Sequence, residues 1–471
     1  MNWNTPSPAD RRAVDPQTAF EAGLRHHHIA NTAYPIGHSV TMRPYRLTSA
    51  AAQTAAIETW QKADRLGLYV HVPFCAARCR YCEYTVVEQH DHDTQDRYFD
   101  ALLREIELYH QRAHTDRKTL IGFDIGGGTP TIARIENLRR LIEATRTAFR
   151  HPPTICISIE TTPVIADREP DKIAALKAMG IDRISMGVQT THFKLARALG
   201  REYEGLSMLE RAVQHIRDAG FERFNIDLMY GFADQTIEDW RDTVAQTIAL
   251  GPEYITLYQM RYKGTRLQAQ AVRVSKEQVY AQEMLARDLL LAAGYAGSPG
   301  KNTYSRLPGD PGTSDYLTER VVKGTPYLGL GLGAQTFSPY TLSYNLGAAS
   351  KTLEPYLQAV EVGQLPVQDL YHLPLEVAMA KMISVSFYFG EIHLAHFKAR
   401  FGVPLEEAFG REVNFLLDRE LMHYVGPCLQ LTEKGLQNKS GVIALFYAAA
   451  VKDHLIRLEG GWDEIQLDRA A

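Results

Sequence analysis

Residues 68–82 read Leu-Tyr-Val-His-Val-Pro-Phe-Cys-Ala-Ala-Arg-Cys-Arg-Tyr-Cys. The first part of this stretch is apolar, β-branched and aromatic, which predicts a short buried strand, and Pro73 helps to end that strand in a loop. Cys75, Cys79 and Cys82 follow directly. Because α/β proteins carry their chemistry just past the carboxyl ends of strands, we expect these three thiols to lie at a functional site.

The three clustered cysteines favour an iron–sulfur cluster with an open iron. Structural zinc normally takes four protein ligands, and a cluster held by four cysteines is saturated. Of the other two cysteines, Cys156 lies in an apolar run typical of a buried strand, and Cys428 stands alone. Zinc with a distant fourth ligand is the alternative, whereas an odd, clustered count argues against a disulfide framework. We expect Cys75, Cys79 and Cys82 to bind a [4Fe–4S] cluster.

The composition predicts a soluble protein of the cytoplasm. Hydrophobic residues make up 45% and charged residues 23% of the chain, and its net charge of −4 indicates no general attraction to nucleic acid or to an anionic membrane. No apolar stretch approaches the ~20 residues of a membrane span. The N-terminus lacks the features of a signal peptide, and the thiols suit a reducing compartment.

From about residue 66, strand-like runs alternate with amphipathic helical segments, which predicts βαβ units and a parallel sheet. The predicted strands are 67–74, 120–126, 154–160, 183–189, 223–230 and 254–260. The predicted helices are 94–112, 135–149, 170–179, 206–219, 236–249 and 276–291. Six such units indicate an α/β fold in the form of a partial (β/α)6 barrel.

Four regions are expected along the chain. Residues 1–60 form an irregular lead-in, and residues 61–295 form the barrel core. Residues 296–365 connect and pack on the core, and residues 366–471 form a small, mainly helical, winged-helix-like domain. Glycines alternate through residues 327–334, but no GK[ST] follows, so we expect tight backbone packing beside a ligand there and not a phosphate loop.

Two histidine-rich patches, 26–28 and 88–93, are interpreted as solvated segments in preference to metal sites.

Polar residues also follow or end the later strands. Gly126, Gly127 and Gly128 follow the second strand, where their amides are able to form a nest for a carboxylate, or simply to make a tight turn. Three strands carry a polar group near their ends; these groups are Glu160, Gln189 and Asp227. Such groups converge on one cavity at the carboxyl end of a barrel, unless each is a cap or a loop ion pair. Arg201 pairs with a ligand carboxylate or is a surface arginine.

Six motifs occur along the chain in an order that resembles that of a known protein family. The set is Tyr69-Val-His-Val-Pro-Phe-Cys75 with its CxxxCxxC, Gly126-Gly-Gly-Thr-Pro-Thr131, Ser158-Ile-Glu160, Gly187-Val-Gln189, Leu199-Gly-Arg201 and Asn225-Ile-Asp227. It resembles the radical S-adenosylmethionine (SAM) superfamily and, within it, the oxygen-independent coproporphyrinogen III oxidase-like family. The resemblance implies a [4Fe–4S] cluster, two SAM molecules and a 5′-deoxyadenosyl radical. It implies contacts to the first SAM from Tyr69, Gly127 and Glu160, and to the second from Tyr81, Gly128, Thr129, Gln189, Arg201 and Asp227.

Departures from the family pattern point to a subgroup. Tyr84 stands where the oxidase has a further cysteine, and residues 314–320 lack the His-Asn…Tyr-Trp signature of the related haem chaperones. What remains is most similar to class C radical SAM methyltransferases and cyclopropanases of natural-product pathways. There a methylene radical derived from the second SAM adds to an sp2 carbon of the substrate. Coproporphyrinogen III dehydrogenase and a haem chaperone of the same family are the alternatives.

The expected partners follow from this resemblance. They are a small-molecule substrate, an electron donor such as flavodoxin or ferredoxin, and a second pathway protein as a further candidate. We expect neither nucleic acid nor a membrane among them. The substrate-facing residues are not readable from the motifs, and Tyr304, Tyr316 and Gln335 are guesses for that role.

Overall fold

The computed structural model describes residues 12–25, 34, 39–88, 91–201 and 205–458. Its centre is an 11-stranded sheet, in which six strands run parallel in sequence order. These strands are β1 (Arg65–Val72), β2 (Thr119–Gly127), β3 (Ile157–Thr161), β4 (Arg183–Gln189), β5 (Arg223–Tyr230) and β6 (Tyr254–Gln259). The predicted α/β fold is confirmed. The third strand begins later than predicted because the Ile155 amide closes a turn onto the Pro152 carbonyl at 3.1 Å.

Five further strands extend the sheet on both sides of this parallel unit. They are β7 (Thr303–Ser305), β8 (Tyr327–Leu330), β9 (Gln335–Phe337), β10 (Thr341–Asn345) and β11 (Val367–His372). Strand β7 pairs antiparallel with β6, whereas β8 pairs parallel with β1. The glycine-rich segment therefore lies directly beside β1, where Gly331 leaves no room for a side chain against the carbonyl of His71. The predicted tight backbone packing is present, and a ligand beside it stays a prediction.

The helices cover the sheet and build the two ends of the chain. Within the described residues they are α1 (Pro16–Arg25), α2 (Ser39–Met42), α3 (Ser49–Glu58), α4 (His92–Ala113), α5 (Ile135–Ala148), α6 (Pro163–Arg168), α7 (Pro170–Ala178), α8 (Phe193–Ala198), α9 (Leu206–Asp218), α10 (Ile237–Leu250), α11 (Lys276–Ala292), α12 (Asp315–Val322), α13 (Glu354–Glu361), α14 (Leu375–Ser386), α15 (Leu394–Phe401), α16 (Leu405–Asp418), α17 (Glu433–Gln437), α18 (Lys439–Leu445) and α19 (Ala449–Arg457). Local signals set several ends; α10, for example, begins with a capping box of Thr236 and Asp239 and ends at Gly251. None of the helices in the described ranges has the length and apolar character that a membrane span requires.

The inner face of the parallel strands is polar. Side chains alternate between the two faces of a strand, so Leu68, Val70 and Val72 of β1 are buried in the core while Tyr69 and His71 point the other way. Their polar counterparts on the other strands are Asp124, Ser158, Glu160, Arg183, Ser185, Asn225, Asp227 and Thr256. A parallel sheet covered on both faces reads as continuous apolar runs. The alternation here indicates a cavity on one face.

The C-terminal region has its own core and a three-stranded antiparallel sheet. That sheet is ordered β12 (Glu391–His393), β14 (Cys428–Leu431), β13 (Met422–Val425). The expected mainly helical domain is therefore present, although its boundary at residue 366 remains a proposal. Helix α1 packs against α16, α18 and α19, with Ala19 and Phe20 buried in the same core. The lead-in was expected to be irregular, and this is wrong for its described part, because α1 and α3 both bury apolar faces.

Candidate active site

The cysteine loop begins where β1 ends and is closed by backbone hydrogen bonds. The amide of Cys75 donates to the carbonyl of Val87 at 3.1 Å, and the amide of Val87 donates to that of Pro73 at 2.8 Å. A turn brings the amide of Cys82 to the carbonyl of Cys79 at 3.1 Å. The three predicted thiols are thus gathered on one half-buried loop at the carboxyl end of the sheet.

The chemistry of these thiols fits a cluster. Burial, followed by the nearby charges of Cys82 and Cys79, raises the pKa of Cys75 to about 12, and burial also raises the pKa of Cys82. Thiols of this kind ionise when iron binds, because a metal ion deprotonates its thiol ligand outright. In the described part of the chain, no three Cys, His, Asp or Glu side chains converge where a single ion would sit. A cubane needs no such convergence, since it takes each thiolate on a different iron.

The glycine turn after β2 lies against the cysteine loop. A side chain at Gly128 would meet the carbonyl oxygens of Phe74 at 2.6 Å and of Pro73 at 2.7 Å. Thr129 places its hydroxyl 3.7 Å from the thiol of Cys75. The amides here do not form the open nest that the sequence suggested. Gly127 donates to Glu160 at 3.1 Å, and the amides of Gly128 and Thr129 donate to backbone carbonyls of the β1 end.

Glu160 faces the cavity from the end of β3. Its side chain is accessible from that cavity. Its pKa is nevertheless raised to about 8, first because the surrounding protein desolvates it and then because the Asp227 carboxylate lies nearby. Tyr69 lies close enough for the charge of Glu160 to raise its pKa further, although burial is the larger cause. Tyr69 also shares a hydrogen bond of 3.2 Å with Nδ1 of His71. A carboxylate at this position suits a cationic ligand such as SAM.

This carboxyl predicts a pH dependence of SAM binding. Below its pKa of about 8, Glu160 is protonated in the ligand-free protein and loses its attraction for the SAM cation. The SAM dissociation constant should therefore fall as pH rises from 6 to 8, by at most about tenfold per unit, and then level off. Asp227, Asp124, Arg183 and Tyr69 face the same space. Calorimetric titration of wild-type and Glu160→Gln protein across this range isolates the Glu160 contribution, and equal slopes in the two proteins would contradict it.

A second group of predicted residues lies on the neighbouring wall. Arg201 donates through Nη1 to the phenol of Tyr81 at 2.7 Å, lies 3.5 Å from the thiol of Cys79, and donates through Nη2 to the carbonyl of Gly187. Gln189 ends β4 with a φ of 71°, in the left-handed region of backbone conformation. Residues other than glycine seldom adopt this conformation, and those that do cluster at ligand sites. The side-chain Oε1 of Gln189 is buried and has no hydrogen-bond partner among the described residues. An unsatisfied buried acceptor beside a guanidinium fits a bound polar ligand.

Asp227 anchors a hydrogen-bond network across the inner face. Its carboxylate accepts from Ser185 at 2.9 Å and from Asn225 at 2.7 Å, and Thr256 donates to Asn225 at 2.9 Å. Burial raises the pKa of Asp227 despite these bonds. The network fixes the positions of β4, β5 and β6 relative to one another. Of the predicted site residues, the structure thus brings all the strand-end groups to one cavity.

Several cavity residues are missed by the motifs. Tyr84 is 57% exposed and Tyr258 is 37% exposed. The pKa of each phenol is raised by burial and then by nearby groups that include Glu160, Asp227 and Tyr388, which places both phenols at the barrel mouth. His71 is buried, donates through Nε2 to the Thr85 carbonyl at 2.8 Å, and stays neutral because burial lowers its pKa to about 4. The alternation of Tyr69 and His71 along β1 is the signal that could have identified His71.

The three residues suggested as substrate-facing have different surroundings in the structure. Tyr316 stacks on Tyr69 with ring centroids 6.1 Å apart, so it borders the cavity. Gln335 accepts a hydrogen bond from the phenol of Tyr327 and donates one to the phenol of Tyr344. Tyr304 is placed away from the cavity, where Glu283 and Arg287 act on its charge. The histidines at 26–28 and His90 lie outside the described residues.

Comparison with known proteins defines the class. Residues 69–246 match the model of the Radical SAM superfamily. Together with the cysteine loop and the parallel sheet, this match makes the region a radical SAM domain. Its cofactors are a [4Fe–4S] cluster and SAM, which, when bound, supply an adenosyl radical that abstracts hydrogen. The residues that would hold them are those gathered at the carboxyl ends of β1 to β5.

Individual relatives indicate which proteins of the radical SAM superfamily the chain resembles. The chain is 23% identical to heme chaperone HemW of Bacillus subtilis over 374 residues, covering 78% of this chain and 95% of that protein. It is 33% identical to oxygen-independent coproporphyrinogen III oxidase of Synechocystis over 202 residues, covering 43% of this chain and 42% of that relative, so this match spans less than half of the oxidase. The solved structure of HemN, the coproporphyrinogen III oxidase of Escherichia coli, superposes with a TM-score of 0.70 at 22% identity, covering 87% of this chain and 98% of that one. The chain is thus similar to the HemN and HemW group of radical SAM proteins.

Proposed function

We propose that this protein is a radical SAM enzyme that acts on a porphyrinogen or a related tetrapyrrole. The observation that carries the proposal is the cavity at the carboxyl end of the sheet, where the cysteine loop, Glu160 and Gln189 meet a wall of phenols. The similarity to HemW and to coproporphyrinogen III oxidases supports a tetrapyrrole over other small molecules. The site residues named above are proposed in the same roles that their resemblance implies.

The protein's own residues divide the work in this proposal. Tyr69, Gly127 and Glu160 bind and orient the SAM that is cleaved, and Glu160 opposes its positive charge. Arg201, Tyr81 and Gln189 form the wall on the far side of the cysteine loop, where a second ligand fits. The surrounding phenols enclose the reacting carbon and limit the access of water to the radical.

A second candidate function is radical methylation or cyclopropanation of an sp2 carbon. The observation that favours it is Tyr84, which occupies the position of the further cysteine in the oxidase pattern and reaches the same cavity as Glu160 and Asp227. A second SAM on the Arg201 wall would supply the one-carbon unit. Both candidates are compatible with a tetrapyrrole substrate.

Anaerobic turnover of coproporphyrinogen III distinguishes these functions. With reconstituted protein, SAM and a reductant, we expect 5′-deoxyadenosine together with a changed tetrapyrrole mass. Loss of carbon dioxide, with a mass decrease for each propionate converted, supports decarboxylation. Formation of S-adenosylhomocysteine and a one-carbon mass gain supports methylation. Stoichiometric haem binding with neither change would indicate a haem chaperone and would overturn both enzymatic proposals.

A further inference from the structure

A cationic side chain projects from α12 into the phenol wall of the cavity. Arg320 is half-buried, and its guanidinium carbon lies 4.3 Å from the ring centroid of Tyr327 and 5.8 Å from that of Tyr316. Its Nη1 donates to the phenol of Tyr316 at 3.2 Å. Its Nε is buried and has no hydrogen-bond partner in the part of the chain that the structure describes. The guanidinium is therefore fixed in place with donor capacity left over.

Among the described residues, no carboxylate forms an ion pair with this arginine. The groups that act on it most are the phenols of Tyr316, Tyr327 and Tyr388. Asp124 also acts on it, but the Asp124 carboxylate accepts from Ser314 at 2.7 Å and makes no ion pair with Arg320 in the described part of the chain. Lys381 of α14 is 1% exposed, and burial and then the charge of Arg320 hold its pKa well below the usual range, so its amine adds little positive charge here. A guanidinium that faces neutral phenols favours an anion beside it.

The position of Arg320 connects it to the reaction site. Tyr316, which accepts its hydrogen bond, stacks on Tyr69 of β1. Tyr388 acts both on the charge of Arg320 and on that of Tyr84, two residues after the last cysteine of the loop. Arg320 is thus connected through Tyr316 to Tyr69 of β1, the strand that leads into the cysteine loop.

We propose that Arg320 binds a carboxylate of the substrate and orients the substrate over the cysteine loop. A guanidinium presents parallel donors that match a carboxylate, and the rings of Tyr316 and Tyr327 hold this guanidinium in place. The inference rests on the proposed function only for the identity of that substrate, whose class is an aromatic or tetrapyrrolic carboxylic acid. If Arg320 were purely structural, it would clamp α12 onto β8 through its two phenols.

A fragment pair tests the subsite independently of the reaction. The thermal midpoint of the anaerobically reconstituted protein is measured with 3-phenylpropionate and with the uncharged 3-phenylpropionamide. We expect the acid to raise the midpoint clearly more than the amide in the wild type. Arg320→Gln should abolish that difference, whereas Arg320→Lys should keep part of it, because an ammonium retains the charge but not the paired donors. Equal shifts by acid and amide in the wild type, or an acid-specific shift that survives in Arg320→Gln, would overturn the subsite.

A matched control separates binding from packing. Arg400 of α15 is also an arginine on an aromatic face, with its guanidinium carbon 5.3 Å from the ring centroid of Phe337. Its buried Nε has no hydrogen-bond partner among the described residues. Arg400→Gln should retain the acid-specific shift in full. If Arg400→Gln and Arg320→Gln lose the shift equally, the loss reflects weakened packing and the subsite is refuted.

Coproporphyrin III and its tetramethyl ester separate the subsite from the proposed function. The wild type is expected to bind the acid at least about tenfold more tightly than the ester, a preference of the size that charge-assisted hydrogen bonds provide. Arg320→Gln should remove this preference. If the wild type binds neither compound while the phenylpropionate shift still depends on Arg320, the subsite stands and the tetrapyrrole substrate is refuted.

Discussion

Replacement of Cys75, Cys79 or Cys82 by alanine, one at a time, is expected to abolish the brown absorbance of the reconstituted cluster and all production of 5′-deoxyadenosine. The three thiols are gathered on one loop at the end of β1, and each would hold a different iron. Loss of one thiolate leaves two protein ligands, which do not retain a cubane with a single open iron. Iron content, absorbance and deoxyadenosine yield after anaerobic reconstitution measure the effect.

The remaining two cysteines provide the control for this experiment. Cys156 and Cys428 are buried, at 4% and 7% exposure, and lie on or next to strands outside the loop. Cys156→Ala and Cys428→Ala should therefore keep full iron content and full SAM cleavage, with at most a modest loss of stability. A Cys75→Ala protein with unchanged absorbance and cleavage would show that the cluster assignment is wrong.

Gly128→Ala is expected to lower the rate of SAM cleavage by about 100-fold while the cluster still assembles. The added methyl group would lie 2.6 Å from the Phe74 carbonyl oxygen and 2.7 Å from that of Pro73, so one of two backbone segments must move. Those carbonyls directly precede Cys75. A displacement of about 1 Å between a positioned ligand and its reaction partner typically costs about that factor. Single-turnover deoxyadenosine formation at saturating SAM gives the rate.

Gly410→Ala serves as the matched variant. Gly410 lies in α16 and has no heavy atom within 4 Å of its added methyl group, so the same substitution meets open space. We expect wild-type cleavage and an unchanged or slightly raised melting temperature, because alanine favours a helix. Equal rates in Gly128→Ala and the wild type would mean that the glycine turn and the cysteine loop do not need their close approach.

The strands and helices of the barrel could be predicted because their patterns are local. The strand runs at 183–189 and 223–230 coincide with β4 and β5, since alternation and chain reversals leave a signal within ten residues. The strand-end residues could be placed together because parallel strands end at one edge. Their common cavity is present, with Glu160 and Asp227 near enough to affect each other's charge.

What could not be predicted depends on contacts between distant parts of the chain. No local pattern places β8 beside β1, and therefore none places Arg320 and Tyr316 next to Tyr69. The glycine amides were expected to face a ligand, but the chain reversal after β2 turns them onto Glu160 and onto the end of β1. Whether a backbone amide donates to a ligand or to the protein depends on which acceptor the fold brings within hydrogen-bonding distance.

The packing of α1 has a consequence for motion at the cavity mouth. Helix α1 precedes β1 in the chain, whereas α16, α18 and α19, which it contacts, follow β11. The C-terminal region is consequently attached to the barrel on both sides: covalently through the segment after β11, and by a buried helix that belongs to the opposite end of the polymer. A doubly tethered body has far fewer rigid-body displacements than a hinged arm. Entry of a large substrate must then rely on side chains of the mouth, such as Tyr84 and Tyr388, and not on a swing of the whole C-terminal region.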